Sequence, residues 1–451
     1  MSHPAVHVIG GGLAGSEAAF QLAERGHAVV LHEMRPLRAT PAHQSDRLAE
    51  LVCSNTFKST DTANAHGLLK AEMRLLGSMI LEAADASRIP GGSALTVDRE
   101  RFAAEVQRRV ETHPRITIAR GEVTELPEVG VVATGPLTSD ALVQAIQRRL
   151  GVESLAFYDA IAPIVAGDSI DTTVAFRASR WDKHTEVADG RGPTAEGDYL
   201  NCPMSRDEYE AFLDALTAAD QYAGQSFDPV PYFEGCMPVE EMAKRGRDTL
   251  RFGPMKPVGL RDPRTGRRPW AVVQLRMEDA EGRMWNLVGF QTRMRTGEQQ
   301  RILRMIPGLA QAEFLRWGSI HRNSYVNAPA ALSPHLALRD APTTLLAGQL
   351  TGVEGYTESS ATGLLAGINL ARLLAGEAPV LPPTTTMLGA LYRYLRDADP
   401  RHFQPMNANF GLVDTLPGAP KDKIERKQAM AERALTAMRE WKESLSAGVE
   451  V

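Results

Sequence analysis

The fold of this chain is decided by its first apolar stretch, AVHVIGGGLAG at residues 5–15. A short strand pattern runs into a glycine-rich turn, and apolar residues at helical spacing follow it as far as Arg25. A second apolar run, Ala28–Leu31, leads into Glu33, which lies 18 residues after Gly15. A strand–helix–strand unit of this length predicts parallel strands in a doubly wound α/β sheet.

The glycines at positions 10, 12 and 15 have the spacing of a Rossmann-like dinucleotide site. The first permits a tight turn, the second lets a pyrophosphate approach the backbone, and the third lets helix and strand pack closely. The N-terminus of the following helix would attract the phosphates, and Glu33 would accept hydrogen bonds from ribose hydroxyls. A purely structural glycine turn is the alternative. The predicted cofactor-binding residues here are Gly10, Gly11, Gly12, Leu13, Ala14, Gly15 and Glu33.

Two later segments favour FAD over NAD as the bound dinucleotide. An apolar strand ends in Ala133-Thr134-Gly135, and the glycine-rich run 346–352 precedes a small-residue helix expected to begin near Ser359. The N-terminus of that helix could stabilise negative charge on a reduced flavin. The same helix also fits simple close packing on the sheet, and the two interpretations are compatible. These segments add Gly135, Gly348, Gln349 and Gly363 to the predicted cofactor site.

The chain has 451 residues, which suggests two or three structural units. Strand and helix patterns alternate over the first 150 residues, change to turn-rich sequence from about Trp181, and resume near Thr344. We therefore predict a discontinuous FAD-binding domain of α/β class, formed by residues 1–180 and 321–451 with a C-terminal helix. An inserted α+β domain would occupy residues 181–320.

Composition narrows the class of protein. Hydrophobic residues make up 43 % and charged residues 23 %, as in ordinary globular proteins, which argues against a disordered or low-complexity chain. Three scattered cysteines are too few for a disulfide framework or a cysteine-based metal site, so no metal is expected. No signal-peptide or membrane-span pattern is found. These features predict a soluble cytoplasmic protein.

The cysteines differ in their sequence settings. Cys53 follows apolar Leu51-Val52 and precedes Lys58, while Cys236 lies between Gly235 and Pro238 just before a helical pattern. A nearby cation or a helix N-terminus would favour a thiolate at either position. A free cysteine is commonly a small buried hydrophobe, so the residues alone leave a chemical role open. For Cys202 the structural interpretation is favoured.

A basic segment is hidden within a near-neutral chain. The net charge is −5, yet residues 244–304 carry 15 Lys and Arg against six acids, a local charge of +9. Thirteen of the 15 are arginines, which bind phosphate in a bidentate manner. Such asymmetry is typical of polyanion binding, although arginines that simply cover an inserted domain and pair with acids elsewhere would also explain it.

Longer motifs make the chain resemble one family, the folate- and FAD-dependent tRNA (uracil-5-)-methyltransferases, or TrmFO family. The resemblance extends from residue 1 to about residue 376. Its motifs, besides the glycine turn, are CSN at 53–55, GLLKAEM at 67–73, PGGSALTVDR at 90–99, GCMPVE at 235–240, TLRFGPMKPVGL at 249–260, NLVGFQT at 286–292 and HRN at 321–323.

The resemblance implies methylation of C5 of the T-loop uridine in the T-arm of tRNA, giving ribothymidine. The carbon would come from 5,10-methylenetetrahydrofolate and the reducing equivalents from NAD(P)H through FAD. Cys236 matches the cysteine expected to attack uracil C6, and Cys53 matches the second catalytic cysteine near the flavin. Arg251, Lys256 and Arg261 would meet tRNA phosphates.

Three alternatives stay open at this point. A wobble-uridine tRNA modifier uses the same cofactors but is longer, with a large C-terminal helical domain. A small-molecule FAD/NAD(P)H oxidoreductase would need no RNA partner. A non-catalytic flavoprotein that only binds tRNA would need neither cysteine.

Overall fold

The computed structural model describes residues 5–151, 155–182, 197–222 and 237–447. In chain order, the elements up to residue 161 are β1 (Val6–Ile9), α1 (Leu13–Glu24), β2 (Val29–Glu33), β3 (Thr56–Ser59), α2 (Ala65–Leu75), α3 (Met79–Ala86), β4 (Arg88–Ile89), β5 (Ala94–Val97), α4 (Arg99–Thr112), β6 (Ile116–Arg120), β7 (Gly130–Val132), α5 (Asp140–Leu150) and β8 (Leu155–Ile161).

The following elements, up to residue 325, are β9 (Ile164–Ala166), β10 (Phe176–Ala178), β11 (Tyr199–Met204), α6 (Arg206–Thr217), α7 (Val239–Lys244), α8 (Thr249–Phe252), β12 (Ala271–Met277), β13 (Met284–Leu287), α9 (Thr296–Leu303), β14 (Phe314–Arg316) and β15 (Ser319–Tyr325). The last elements are α10 (Ala328–Ala331), β16 (Ala337–Leu338), β17 (Ala341–Leu346), α11 (Tyr356–Leu374), α12 (Met387–Asp397) and α13 (Lys423–Ala447).

A six-stranded sheet in the order β16-β17-β7-β1-β2-β6 organises the first unit. All neighbours pair in parallel except β16, which runs antiparallel to β17. Strand β7 is buried on both faces, as expected for a parallel sheet covered by helices, whereas β1 exposes His7 and β2 leaves His32 half-buried. The α/β fold class predicted from the glycine turn is therefore confirmed, and we call this part the parallel-sheet unit.

A second six-stranded sheet, entirely antiparallel, has the order β10-β11-β12-β13-β9-β14. Its own hydrophobic core includes Trp285, Phe212 and Phe290. We call this part the antiparallel-sheet unit. Strands β9 and β10 belong to this sheet and lie before residue 181. The polypeptide therefore enters the sheet directly after β8, and not at the turn-rich sequence that begins near Trp181.

The two units are joined by a ribbon and by buried polar contacts. Strands β8 and β15 pair with each other, so the chain leaves and re-enters the parallel-sheet unit side by side. Asn55 donates from Nδ2 to the carbonyl of Met277 at 2.8 Å, and its Oδ1 accepts from Arg276 Nε at 2.9 Å. Because these groups are buried, breaking the junction would leave unsatisfied hydrogen-bonding atoms.

Helices α1 and α11 cross in very close contact above the sheet. A Cβ atom at Gly363 of α11 would lie 2.2 Å from the carbonyl oxygen of Ala14 in α1. A Cβ at Gly367, one turn later, would lie 2.8 Å from the carbonyl oxygen of Ala18. Only glycine at these two positions permits this separation of the helix backbones.

We expect Gly363→Ala to lower the stability of the apoprotein by about 2 kcal/mol, because the added methyl group overpacks the contact between helices. The matched control is Gly297→Ala in α9, an exposed helical glycine where a Cβ would have no atom within 4 Å. That variant should keep or slightly raise stability. Thermal unfolding of both apoproteins tests this; equal melting temperatures would contradict it.

Candidate functional site

A cleft lies at the carboxyl ends of the parallel strands. This is where α/β sheets of this class bind nucleotides. It is lined by residues from the turn after β1, the end of β2 and the loop that follows it, the residues after β6, the end of β7, the turn after β17 and the start of α11. Of the predicted cofactor residues, those lining it are Gly10, Gly11, Gly12, Leu13, Ala14, Glu33, Gly135, Gly348 and Gln349.

The glycine turn leaves space beside the backbone at one residue, Gly12. Gly10 has φ +103, and a Cβ there would lie 2.6 Å from the carbonyl oxygen of Ala133. At Gly12 a Cβ would have no atom within 4 Å. Gly12 is also the N-cap of α1, without a side-chain cap or an acid in the first turn. Free backbone N–H groups and open space at one point suit a phosphate.

Gly15 and Gly363 have a different role. A Cβ at Gly15 would lie 1.8 Å from the carbonyl oxygen of Gly10, so this glycine allows α1 to pack on the turn. Gly363 makes the α1–α11 contact described above. Neither residue lines the cleft, so both shape it from beneath.

The far end of β2 carries a buried acidic group. Glu33 accepts a hydrogen bond from the backbone N–H of Gly11 at 3.1 Å and forms a two-point ion pair with Arg35. Burial raises the pKa of Glu33, but the hydrogen bonds and charge of Arg35 outweigh it and hold that pKa below its ordinary value. The group is therefore an ionised acceptor that borders the cleft, as a ribose hydroxyl requires.

The N-terminus of α11 forms another part of the cleft wall. This helix begins at Tyr356, three residues earlier than predicted, with Gly355 as N-cap at φ +117. Tyr356 and Ser359 line the cleft together with Gly348 and Gln349. The residues thus fit an elongated dinucleotide: phosphates at Gly12, a ribose at Glu33 and a flavin near α11.

Cys53 lies beside this part of the cleft. The phenol oxygen of Tyr356 accepts hydrogen bonds from the backbone N–H groups of Cys53 at 2.9 Å and Ser54 at 3.1 Å. The thiol is half-buried, and the adjoining Val52 lines the cleft. Burial and the neighbouring Cys53 raise the pKa of Tyr356, so the phenol is neutral.

Sequence reasoning missed two arginines that hold the same loop. Arg99 donates to the carbonyls of Leu51 and Cys53 and forms an ion pair with buried Glu278 of the antiparallel-sheet unit. Arg316 donates to the carbonyl of Val52 at 3.3 Å, while its Nε and Nη2 atoms are buried without a partner. Burial and the charge of Arg99 lower the pKa of Arg316 to about 10. Arg99 is the last residue of the PGGSALTVDR motif, and its place in that motif is the sequence feature that could have identified it.

The other two cysteines have contrasting positions. Cys236 falls outside the described residues, which resume at Met237, immediately before α7. Cys202 is fully buried in β11, and burial raises the pKa of its thiol to about 12. A buried thiol of this kind is chemically inert, which agrees with the structural interpretation.

The predicted tRNA-binding cations differ in exposure. Lys256 and Arg261 are exposed and form no ion pair within the described ranges. The Arg251 side chain is only 18 % exposed and pairs with Asp248 at 2.6 Å. Its guanidinium also lies 3.6 Å from the centre of the Trp270 ring. Arg251 therefore supports the local structure and has few donors left for a phosphate.

Metal-binding clusters and membrane-spanning helices are both absent from the part of the chain that the structure describes. There, no group of three or more His, Cys, Asp or Glu side chains could hold a metal ion. None of the described helices combines the length and apolar character needed to cross a bilayer.

Comparison with known proteins identifies relatives over nearly the whole chain. A family model described as glucose inhibited division protein A matches residues 5–378. A methylenetetrahydrofolate–tRNA-(uracil-5-)-methyltransferase TrmFO of Geobacter sulfurreducens is 57 % identical over 439 residues, which is 97 % of this chain and 98 % of the relative. The protein of the same name from Moorella thermoacetica is 54 % identical over 432 residues, 95 % of this chain and 96 % of the relative.

Among solved structures, GidA of Aquifex aeolicus superimposes with a TM-score of 0.69. The sequences are 16 % identical, and the match covers 99 % of this chain and 76 % of the GidA chain. At this identity the likeness concerns the fold alone.

We expect Gly12→Ala to bind FAD at least about tenfold more weakly while the apoprotein melts normally, since the methyl group would occupy the open approach to the backbone. Gly15→Ala should instead destabilise the apoprotein, because its methyl group meets the Gly10 carbonyl. Thermal unfolding without cofactor and FAD titration separate the two effects. Unchanged FAD affinity in Gly12→Ala would contradict the assignment of the phosphate site.

Proposed function

The chain belongs to the methylenetetrahydrofolate–tRNA-(uracil-5-)-methyltransferase TrmFO family, and we propose that its cleft and the two cysteines Cys53 and Cys236 carry out that reaction. The protein is a folate- and FAD-dependent methyltransferase that acts on C5 of a uracil in tRNA. Methylenetetrahydrofolate supplies the carbon, and NAD(P)H supplies the reducing equivalents. We propose the T-loop uridine of the T-arm as the target base.

One observation carries the site assignment: the Tyr356 phenol joins the Cys53 loop to the first residue of α11. The N-terminus of α11 lines the cleft, so this contact would hold the Cys53 thiol beside a flavin bound there. FAD, when bound, supplies the electrons that reduce the transferred carbon to the methyl level. We propose that Gly10–Ala14, Glu33, Gly135, Gly348 and Gln349 contact FAD, with Gly15 and Gly363 shaping the site.

The chemistry requires an activated uracil. C5 is a weak nucleophile until a thiolate adds to C6, which leaves an enolate with electron density at C5. We propose that Cys236 forms this S–C6 bond and that C5 then bonds to the transferred carbon. Loss of the C5 proton would break the bond between that carbon and its carrier nitrogen and leave an exocyclic methylene. Addition of a hydride, with electrons that reduced FAD would supply, would give the methyl group and expel the Cys236 thiolate from C6. Cys53 would remove the C5 proton or protect the flavin. Its loop is fixed by Arg99, Arg316 and Tyr356, which act as positioning residues.

The antiparallel-sheet unit supplies the RNA-binding charge. We propose that Lys256 and Arg261 meet tRNA phosphates, while Arg251 acts mainly by holding Trp270 and Asp248. The insertion is proposed to begin near β9, about 17 residues before the sequence-based boundary at 181, and to end near β14. A tRNA substrate and a need for reduced thiols support a cytoplasmic location.

The decisive test of the nucleophile is Cys236→Ala. We expect it to abolish methylation of unmodified tRNA and to prevent a covalent complex with tRNA containing 5-fluorouridine, since that analogue arrests the enzyme after thiolate addition. FAD content should be unchanged. Methylation and denaturing gel analysis are the measurements.

Cys202→Ala is the matched control, because that thiol is buried and is not among the residues that line the cleft. It should methylate tRNA and form the complex like the parent protein. A covalent complex that persists in Cys236→Ala would transfer the nucleophile to another residue.

Tyr356→Phe tests the positioning of Cys53. Loss of the hydroxyl leaves two backbone N–H groups without their acceptor, so the loop should loosen and kcat should fall about tenfold or more, with FAD still bound. Tyr392→Phe removes a buried hydroxyl away from the cleft and should keep normal kcat. Equal rates for both variants would contradict the role of Tyr356.

A further inference from the structure

Among the described residues, the exposed aromatic side chains lie outside the parallel-sheet unit. The large exposed aromatics in that part of the chain are Trp181 at 67 %, Tyr222 at 49 % and Phe252 at 83 %. All three lie between the β8 and β15 strands, in the same part of the chain as the basic segment. Elsewhere in the described chain most aromatic side chains are buried, as expected when they serve only to stabilise the fold.

Phe252 is displayed on a firmly anchored element. It ends the short helix α8, whose Leu250 is fully buried, and Met255 beyond it is fully buried as well. The N–H of Met255 donates to the Leu250 carbonyl at 2.8 Å, and the Val272 N–H donates to the Met255 carbonyl at 3.0 Å. The residues before and after Phe252 are therefore anchored in the core, while the Phe252 ring itself faces solvent.

Trp181 flanks the same segment. Its backbone N–H donates to the carbonyl of Gly259 at 3.2 Å, and a Cβ at Gly259 would lie 3.0 Å from the indole ring. Glycine thus allows the segment to lie against the indole, whose remaining surface is open. Trp181 also has φ +59, a strained conformation for a residue with a side chain.

The sequence segment that carries Phe252 and contacts Trp181 has a charge that fits a polyanion. Residues 252–268 contain five Lys and Arg and one acid, Asp262. Asp262 is buried and pairs with Arg264 at 2.8 Å. In the described part of the chain, Arg267 and Arg268 join Lys256 and Arg261 in being exposed without an ion pair.

From this combination we infer that Phe252 and Trp181 form a stacking surface for unpaired nucleobases of the tRNA substrate, while the surrounding cations bind its phosphates. Aromatic rings stack on exposed bases in single-stranded loops, whereas duplex stems conceal their bases. This inference rests on the proposed function, which makes tRNA the partner. It goes beyond it by naming side chains that would contact bases rather than phosphates.

The test measures the affinity of the FAD-loaded enzyme for an unmodified T-arm hairpin over a series of salt concentrations. Phe252→Ala should raise Kd about tenfold, as expected for the loss of one stacked base, with the salt slope unchanged. Phe252→Tyr should bind normally, and Phe252→Leu should lose most of the affinity. Arg267→Ala should instead lower the salt slope by about 0.7 to 0.9.

Trp181→Leu should also weaken binding. Because Trp181 contacts Gly259, the melting temperature of this variant must be shown to be unchanged before its affinity is interpreted. Ile424→Ala on α13 is the matched control, since Ile424 is 64 % exposed and lies in the parallel-sheet unit. NADPH oxidation without tRNA should be equal in all variants. Binding by Phe252→Ala or Phe252→Leu within about twofold of the parent would overturn the inference. Failure of the parent enzyme to methylate tRNA would instead refute the proposed function.

Discussion

The architecture of the site depends on the close crossing of α1 and α11. Glycine at 363 lets the two backbones meet where Ala14 exposes its carbonyl, since a Cβ at that position would lie only 2.2 Å from the carbonyl oxygen. This separation brings two helix N-termini to one cleft: α1 offers N–H groups at Gly12, and α11 begins at Tyr356. Any side chain in the crossing would push these two helix N-termini apart.

The position of α11 in turn determines the position of the loop that carries Cys53. Tyr356 binds two N–H groups of that loop, and Arg99 and Arg316 bind its carbonyls. Arg99 also reaches Glu278 in the second unit. The thiol is therefore held by groups from three distant parts of the sequence. A junction that is buried and polar makes the placement of the antiparallel-sheet unit specific, since a misplaced unit would leave these groups unsatisfied.

Local chemistry explains which features were predictable. The glycine turn, its strand and its helix follow from residues near in sequence, and the buried β7 and β17 patterns could be recognised in the same way. The start of α11 lies at Tyr356 rather than near Ser359, because Gly355 at φ +117 ends the preceding turn. The contacts of Tyr356 and Arg316 could not be derived, since they join residues separated by some 300 and 260 positions. Charge counting alone likewise failed to distinguish Arg251, held by Trp270, from exposed Lys256.

The central claim is that this cleft moves a one-carbon unit from folate to uracil in tRNA. The most direct measurement supplies the purified enzyme with unmodified tRNA, NADPH and methylenetetrahydrofolate carrying ¹³C in its methylene group, followed by mass spectrometry of the nucleosides. We predict 5-methyluridine that contains one ¹³C atom. Unlabelled 5-methyluridine, or none at all, would contradict the account.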